Sequence, residues 1–294
     1  MEQSNNKKQK LIYFLAAIGL IVGVVFLILF IISNIGRIST DDAYTTGRIH
    51  SIASKIDGTV KNVLVEDNQS VKENDLLIEI DPADYQLKVN EAQAAHNLRN
   101  TSFQQAKRDI KRAQILYKQE VLPKEKYENV LTAYNLAKAQ EDVSQAQLKI
   151  ALRNLEYTKI YAPSSGYITK KSVELGNQIQ AGQPLMAVIS LNDIWLVANF
   201  KETQLKNVLP GQRVEIKVDT YPGKIFSGKV DSIMAGTGAA FSLFPPENAL
   251  GNYVKIVQRI PVKIIFDKNT DRGHILRIGM SAVPTIITKN DQNK

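Results

Sequence analysis

Residues 58–80, GTVKNVLVEDNQSVKENDLLIEI, align without a gap to residues 166–188, GYITKKSVELGNQIQAGQPLMAV, at a constant offset of 108. Gly58 meets Gly166, Val60 meets Ile168, Val65 meets Val173, Glu66 meets Glu174, Val71 meets Ile179 and Leu77 meets Leu185. Each copy reads as short alternating strands broken by turn residues: Asn68-Gln69 and Asn74-Asp75 in the first, Gly176-Asn177 and Ala181-Gly182 in the second. A unit of this size is too small to bury a core by itself. The two copies are therefore expected to pair into one sandwich, whatever lies between them.

What lies between them, residues 83–158, is almost free of Gly and Pro and rich in Ala, Gln, Lys, Glu and Leu, all strong helix formers. Asp81-Pro82 marks a helix start and Val121-Leu122-Pro123 a reversal, so the insert is expected to be a helical hairpin. On the first arm Phe103, Ala106, Ile110, Ala113 and Tyr117 alternate three and four apart, the spacing of a coiled-coil seam. On the second arm Leu136, Ala139, Val143, Ala146, Ile150 and Tyr157 give the matching seam, with Arg153 as its exception. Arms of about 36 residues would reach about 55 Å.

From Trp195 onward, strand-like alternation returns at 195–200, 214–218 and 262–266, punctuated by Pro210-Gly211, Tyr221-Pro222-Gly223 and Arg277-Ile278-Gly279. A small antiparallel barrel with one short helix near Glu202–Val208 is expected. Val230–Met234 and Ala282–Ile287 are expected to form a further module with Ala43–Ser51. The fold class is thus mixed and mainly β, with a long α-helical coiled-coil hairpin.

At the other end, Leu11 to Ile32 is an apolar run without a charged side chain, long enough to span a bilayer and too long for the core of a signal peptide. Lys7, Lys8 and Lys10 precede it and only Arg37 closely follows, so the N-terminus is expected in the cytoplasm and everything beyond residue 38 outside it. One span provides no pathway through the membrane, which excludes a self-sufficient transporter.

Composition narrows the chemistry. Thirty-seven Lys and Arg against 29 Asp and Glu leave a net charge of +8, but beyond the N-terminal lysines the basic residues alternate with acids, and no basic stripe carries interleaved aromatics. Nucleic acid is not an expected partner. With no cysteine, disulfides, thiolate catalysis and Cys-based zinc sites are excluded. His50, His96 and His274 stand far apart, without metal-ligand spacing. Asp41-Asp42 and Glu66-Asp67 are adjacent pairs, and neighbours on a strand point to opposite faces, so they do not make an acid–base couple. No phosphate loop or nucleophile elbow is present. Neither an enzyme nor a cofactor or metal carrier is expected.

The order of elements, with Asp41-Asp42-Ala43-Tyr44, Gly58-Thr59-Val60, the hairpin, and Ala162-Pro163 followed by Gly166 and Ile168, resembles the HlyD/EmrA membrane fusion proteins over nearly the whole chain. Gly236-Thr237-Gly238, Ala240-Phe241-Ser242-Leu243, Pro245, Asn248-Ala249, Gly251-Asn252, Lys255-Ile256-Val257-Gln258-Arg259 and Pro261-Val262 are similar to the EmrA-type branch. The resemblance implies a split lipoyl-like (barrel-sandwich hybrid) domain and a division of the chain into a cytoplasmic N-terminus (1–10), a transmembrane helix (11–32), a membrane-proximal segment (39–50), lipoyl-like half 1 (51–82), hairpin (83–158), half 2 (159–190), β-barrel and membrane-proximal strands (191–287) and a flexible C-terminus (288–294). It also implies a homo-oligomer anchored in the inner membrane, its bulk periplasmic, serving a transporter of major-facilitator type and touching an outer-membrane channel of the TolC type with the hairpin tip. In many such adaptors the tip carries Arg, Leu and Ser at spacings of four and seven. Here Arg112 and Leu116 match, and Pro123 replaces the Ser.

Two other readings arise from the same residues. A biotin or lipoate carrier needs an exposed lysine on the tight turn between its halves, and here a hairpin occupies that place. A type I secretion adaptor paired with an ABC transporter shares the architecture, and the segment 236–262 argues against it by resemblance.

Overall fold

The computed structural model describes residues 36–241 and 256–288, apart from 269 and 272. The anchor expected at Leu11–Ile32 and residues 242–255 of the EmrA-like segment lie outside these residues. Among the described residues, no helix is long and apolar enough to cross a membrane. The chain forms two compact units. Residues 49–190 make one, and the described residues up to 48 and from 191 onward make the other.

In the first unit the two repeats interlock by exchanging strands. The first repeat supplies β3 (Gly58–Val63), β4 (Ser70–Val71) and β5 (Leu76–Ile80), and the second supplies β7 (Gly166–Thr169), β8 (Gln178–Ile179) and the start of β9 (Pro184–Lys201). The strand β6 (Lys159–Tyr161) pairs with β5. Each repeat's first strand pairs with the other repeat's second: Gly58 opposite Ile179 in one place, Val71 opposite Gly166 in the other. The turn bonds obey the same exchange. Gly176 N–H donates to Val60 O at 2.9 Å and Asn68 N–H donates to Ile168 O at 2.9 Å, an equivalent pair under the offset of 108.

This exchange explains the shared spacing of turn residues. Asn68 and Asn74 in one repeat and Gly176 and Gly182 in the other all take positive φ, between 65° and 85°, a backbone region that Asn and Gly enter at least cost. Between the two layers lie Val60, Leu77, Ile78, Ile80, Ile168, Ile179, Leu185 and Val188, all buried. Burial of each such side chain contributes about 1.5–3 kcal/mol, available only when both repeats are present.

The hairpin leaves this unit after β5 and returns before β6. Helix α1 is Ala83–Lys118 and helix α2 is Lys124–Glu156. Asp81 Oδ1 accepts the Ala83 N–H at 3.1 Å and so begins α1. At about 1.5 Å per residue, α1 is about 54 Å long.

The register of the arms is read from their cross-contacts: His96 Nδ1 to Ser144 Oγ at 3.3 Å, Arg99 Nη1 donating to Gln140 Oε1 at 3.2 Å, and Phe103 against Tyr134 with ring centroids 5.6 Å apart. Phe103, Ala106, Ile110 and Ala113 face α2 as their spacing predicts. The second-arm seam does not. Leu136, Val143 and Ile150 are 59%, 58% and 62% exposed, on the side of α2 turned away from α1. The inward stripe is instead Tyr134, Ala137, Glu141, Ser144, Leu148 and Ala151. Two of its members are polar because they meet His96: Ser144 at 3.3 Å, and Glu141 at 3.9 Å. Counting apolar residues therefore selected the wrong stripe.

The second unit is an antiparallel barrel. Its strands run in the order β1 (Arg37–Ser39), β13 (Ala282–Ile287), β10 (Arg213–Val218), β11 (Ile225–Ile233), β12 (Arg259–Phe266), then the residues of β9 from 191 onward. A short 3₁₀ helix, Glu202–Asn207, follows β9. Beyond β1 the chain returns to β9, where Asn199 N–H donates to Asp42 O at 2.8 Å, and β2 (Ala43–Ala53) pairs with β9. Leu196, Phe200, Ile216, Phe226, Ile264, Leu276 and Ile286 fill the interior.

The separate module expected from Val230–Met234, Ala282–Ile287 and Ala43–Ser51 is not formed. Residues 230–233 belong to β11 and 282–287 are β13, both strands of the barrel sheet. Ala43 is buried in the same core, and Thr45 closes against the 277–280 turn, donating from Oγ1 to Arg277 O at 2.6 Å. Shared apolar faces drew these strands into one barrel.

Candidate docking site

The site expected from the sequence is the turn between α1 and α2. Helix α1 ends because Glu120 takes a positive φ of 59° and Pro123 cannot donate an N–H to continue a helix. Leu116 O then accepts two bonds, from Val121 N–H at 3.0 Å and Leu122 N–H at 3.3 Å, which satisfies a helix-end carbonyl that would otherwise be orphaned. Below the turn, Tyr117 and Tyr127 stack with centroids 4.8 Å apart and planes 13° from parallel. The tip is thus pinned by a backbone clasp and a ring pair, and it leaves the neighbouring side chains to face outward.

Arg112 lies on the exposed surface of α1, its guanidinium bonded to Asp109 Oδ1 at 2.7 Å. Leu116 is 41% exposed. Pro123, at φ −57°, is the residue from which α2 springs. All three belong to the end of the hairpin, and beside them stand two exposed apolar side chains that the sequence reading did not single out, Ile115 and Val121. Ile115 lies within α1 and Val121 in the reversal, and no spacing in the sequence marks either as uncovered. Ile115, Leu116 and Val121 make an apolar cap, flanked by Lys118 and Lys124, the latter 3.6 Å from Glu128. Such a surface can bind another protein by apolar burial with a basic rim.

Asp42 accepts Asn199 Nδ2–H at 3.0 Å through Oδ1 and Arg259 Nη1–H at 2.8 Å through Oδ2, so it clamps the barrel edge. Among the described residues, no three His, Asp or Glu side chains converge as they would around a metal ion.

An interlocked sandwich carrying a long hairpin, followed by a small barrel, defines a scaffold of the membrane fusion protein class. Family models agree: residues 48–191 match the RND MFP barrel-sandwich hybrid domain and residues 193–240 the CusB-like beta-barrel domain. The protein described as "Probable multidrug resistance protein EmrK" of Escherichia coli (strain K12) is 37% identical, over 86% of this chain and 78% of its own length. The multidrug export protein EmrA of the same strain is 34% identical, over 85% of this chain and 76% of its own length. The solved structure of the membrane fusion protein Spr0693 from Streptococcus pneumoniae R6 superposes with a TM-score of 0.63 at 16% identity, over 86% of this chain and 99% of that one, a likeness of fold. The chain belongs to the EmrA-type branch of the HlyD/EmrA family of membrane fusion proteins.

Proposed function

We propose that this protein is the periplasmic adaptor of a tripartite drug-export pump. It is held in the inner membrane by one helix at 11–32, with its N-terminus in the cytoplasm and its bulk in the periplasm. It serves a transporter of major-facilitator type, assembles with further copies of itself, and meets an outer-membrane channel of the TolC type through the hairpin tip. The observation that carries the reading is the relatedness to an export and a resistance protein over more than four-fifths of the chain. The hairpin, about 54 Å of rigid helix ending in an exposed apolar cap, supplies an element with the reach and surface for a bridge.

The test is complementation. Cells lacking the protein should become more susceptible to small amphipathic drugs, and the full chain should restore resistance. A chain without residues 84–157, its repeats joined by a short turn, should still reach the membrane and fail to restore it. Resistance restored by the hairpin-less chain would sink the proposal.

A further inference from the structure

The antiparallel register fixes which strand ends share a rim of the barrel. Arg37 lies opposite Ile287, Val214 opposite Ile286 and Arg213 opposite Lys229, so the start of β1 stands with the end of β13, the start of β10 and the second half of β11. Ile233 opposite Val262 and Lys201 opposite Arg259 add the start of β12 and the end of β9. At this rim the chain enters the barrel: Thr288 N–H donates to Gly36 O at 2.7 Å, and Gln204 of the 3₁₀ helix donates from Nε2 to Ser39 O at 3.4 Å. The connections along the rim carry exposed apolar side chains. Leu209, 63% exposed, stands in the turn before β10, Met234, 50% exposed, follows β11, and Ile256 and Val257 precede β12. Lys201, Lys206 and Arg213 stand among them, all exposed and without an ion pair among the described residues. The nearby acids Glu215, Asp42 and Asp231 are paired with Arg37, Arg259 and Lys263, so the rim is basic as well as apolar.

We propose that this rim rests on the bilayer surface, with Leu209, Met234, Ile256 and Val257 entering the boundary between headgroups and acyl chains and Lys201, Lys206 and Arg213 lying against anionic headgroups. The inference rests on the membrane anchor of the function proposed above and goes beyond it. The first argument is the length of chain between anchor and barrel. The apolar run ends at Ile32 and the described chain begins at Gly36, a separation of four residues that reaches at most about 14 Å. The headgroup layer occupies about 5–8 Å on each side of the hydrocarbon. Gly36, and the rim around it, can therefore stand no more than about 9 Å beyond the headgroups.

The second argument is chemical. Apolar side chains held at that distance leave water by entering the interface, while Lys and Arg lay their stems along the apolar boundary and keep the charged head among the phosphates. Anionic lipids attract such cations over about one Debye length, about 8 Å, a distance that the four-residue tether matches. Glu202 opposes the cations from the same 3₁₀ helix as Lys206, and Lys201 and Arg213 keep the balance of the unpaired charge positive. A lipid surface takes apolar and basic groups together at one level, which is how the register arranges them here.

The test uses the full-length protein alone, reconstituted in vesicles of phosphatidylethanolamine and phosphatidylglycerol that contain a phospholipid spin-labelled near the top of its acyl chain. The chain has no cysteine, so a single Leu209→Cys or Met234→Cys carries a fluorophore at a known place. Thr220→Cys, exposed beyond the far end of β10 and about 20 Å along that strand from Arg213, is the reference. The spin label should quench the fluorophore at 209 and at 234 several-fold more than at 220. Adding Lys206→Glu and Arg213→Glu to Leu209→Cys should lower the quenching, as should replacing phosphatidylglycerol with phosphatidylcholine. Equal quenching at all three positions, or none, in vesicles that retain the protein through an alkaline wash would overturn the rim contact and leave the anchor standing. Release of the protein by that wash would remove the anchor, and the proposed function with it. A fluorophore at 209 that escapes the spin label, while a photo-cross-linker at the same cysteine joins a second protein in cell membranes, would overturn the proposal in favour of a protein partner.

Discussion

Replacing Leu116 with Asp separates docking from folding at the hairpin tip. The turn uses the backbone carbonyl of this residue, which accepts from Val121 and Leu122, and Asp supplies the same carbonyl. The side chain is already 41% exposed. Fully burying a leucine contributes about 1.5–3 kcal/mol, so covering the exposed part would add about 0.6–1.2 kcal/mol per copy, roughly 3- to 8-fold in affinity. If three copies engage one channel, the loss compounds to about 30- to 500-fold. An unpaired carboxylate taken into an apolar contact adds about 1–3 kcal/mol or more per copy. Against this, the cost to the fold is the unfavourable placement of an anion in the last turn of α1, about 0.3–1 kcal/mol. Drug resistance should therefore fall to that of cells lacking the protein, and cross-linking of a tip cysteine, Val121→Cys, to the outer-membrane channel should disappear. The unfolding temperature of the purified protein should drop by no more than a few degrees. Wild-type resistance together with wild-type cross-linking in Leu116→Asp would falsify tip docking.

Three further outcomes are expected. Leu148→Ala, at a buried position of the inward stripe, should destabilise the hairpin by about 2–3 kcal/mol, while Val143→Ala on the outer edge should cost the isolated chain less than about 0.5 kcal/mol; equal losses by thermal unfolding would return the seam to the outer stripe. Gly166→Ala should destabilise the sandwich by about 1–3 kcal/mol or more, because its Cβ would land on the Ile189 carbonyl, whereas the Cβ of Gly238→Ala meets no atom of the described residues and should leave the unfolding curve unmoved. For topology, a cysteine at the exposed Ser232 should react with a membrane-impermeant thiol reagent once the outer membrane is permeabilised and the inner membrane left intact. A cysteine there that stays unlabelled until the inner membrane is broken would place the barrel in the cytoplasm.

Much of the architecture was legible because it is written locally. The offset of 108 fixes two copies of one strand pattern, and a strand pattern too small for a core must find its copy. The insert's composition, with Pro82 before it and Pro123 within it, dictates two helices and one reversal. The tip residues Arg112, Leu116 and Pro123 followed from resemblance, and Ile115 and Val121 were passed over because exposure is not a property of sequence.

Which surfaces meet was decided only in three dimensions. Helix α2 carries two stripes at coiled-coil spacing, and the more apolar one, Leu136 to Ile150, lost the partner arm to a stripe that contains Glu141 and Ser144. Periodicity fixes that a helix has a seam, but the choice between seams depends on what stands opposite, and His96 made the polar pair acceptable. In the same way the strands at 230–233 and 282–287 read as a module of their own until register placed them beside β12 and β10. Alternation along a strand sets which face is apolar and carries no information about the neighbour it will pair with, because backbone hydrogen bonds are the same for every partner.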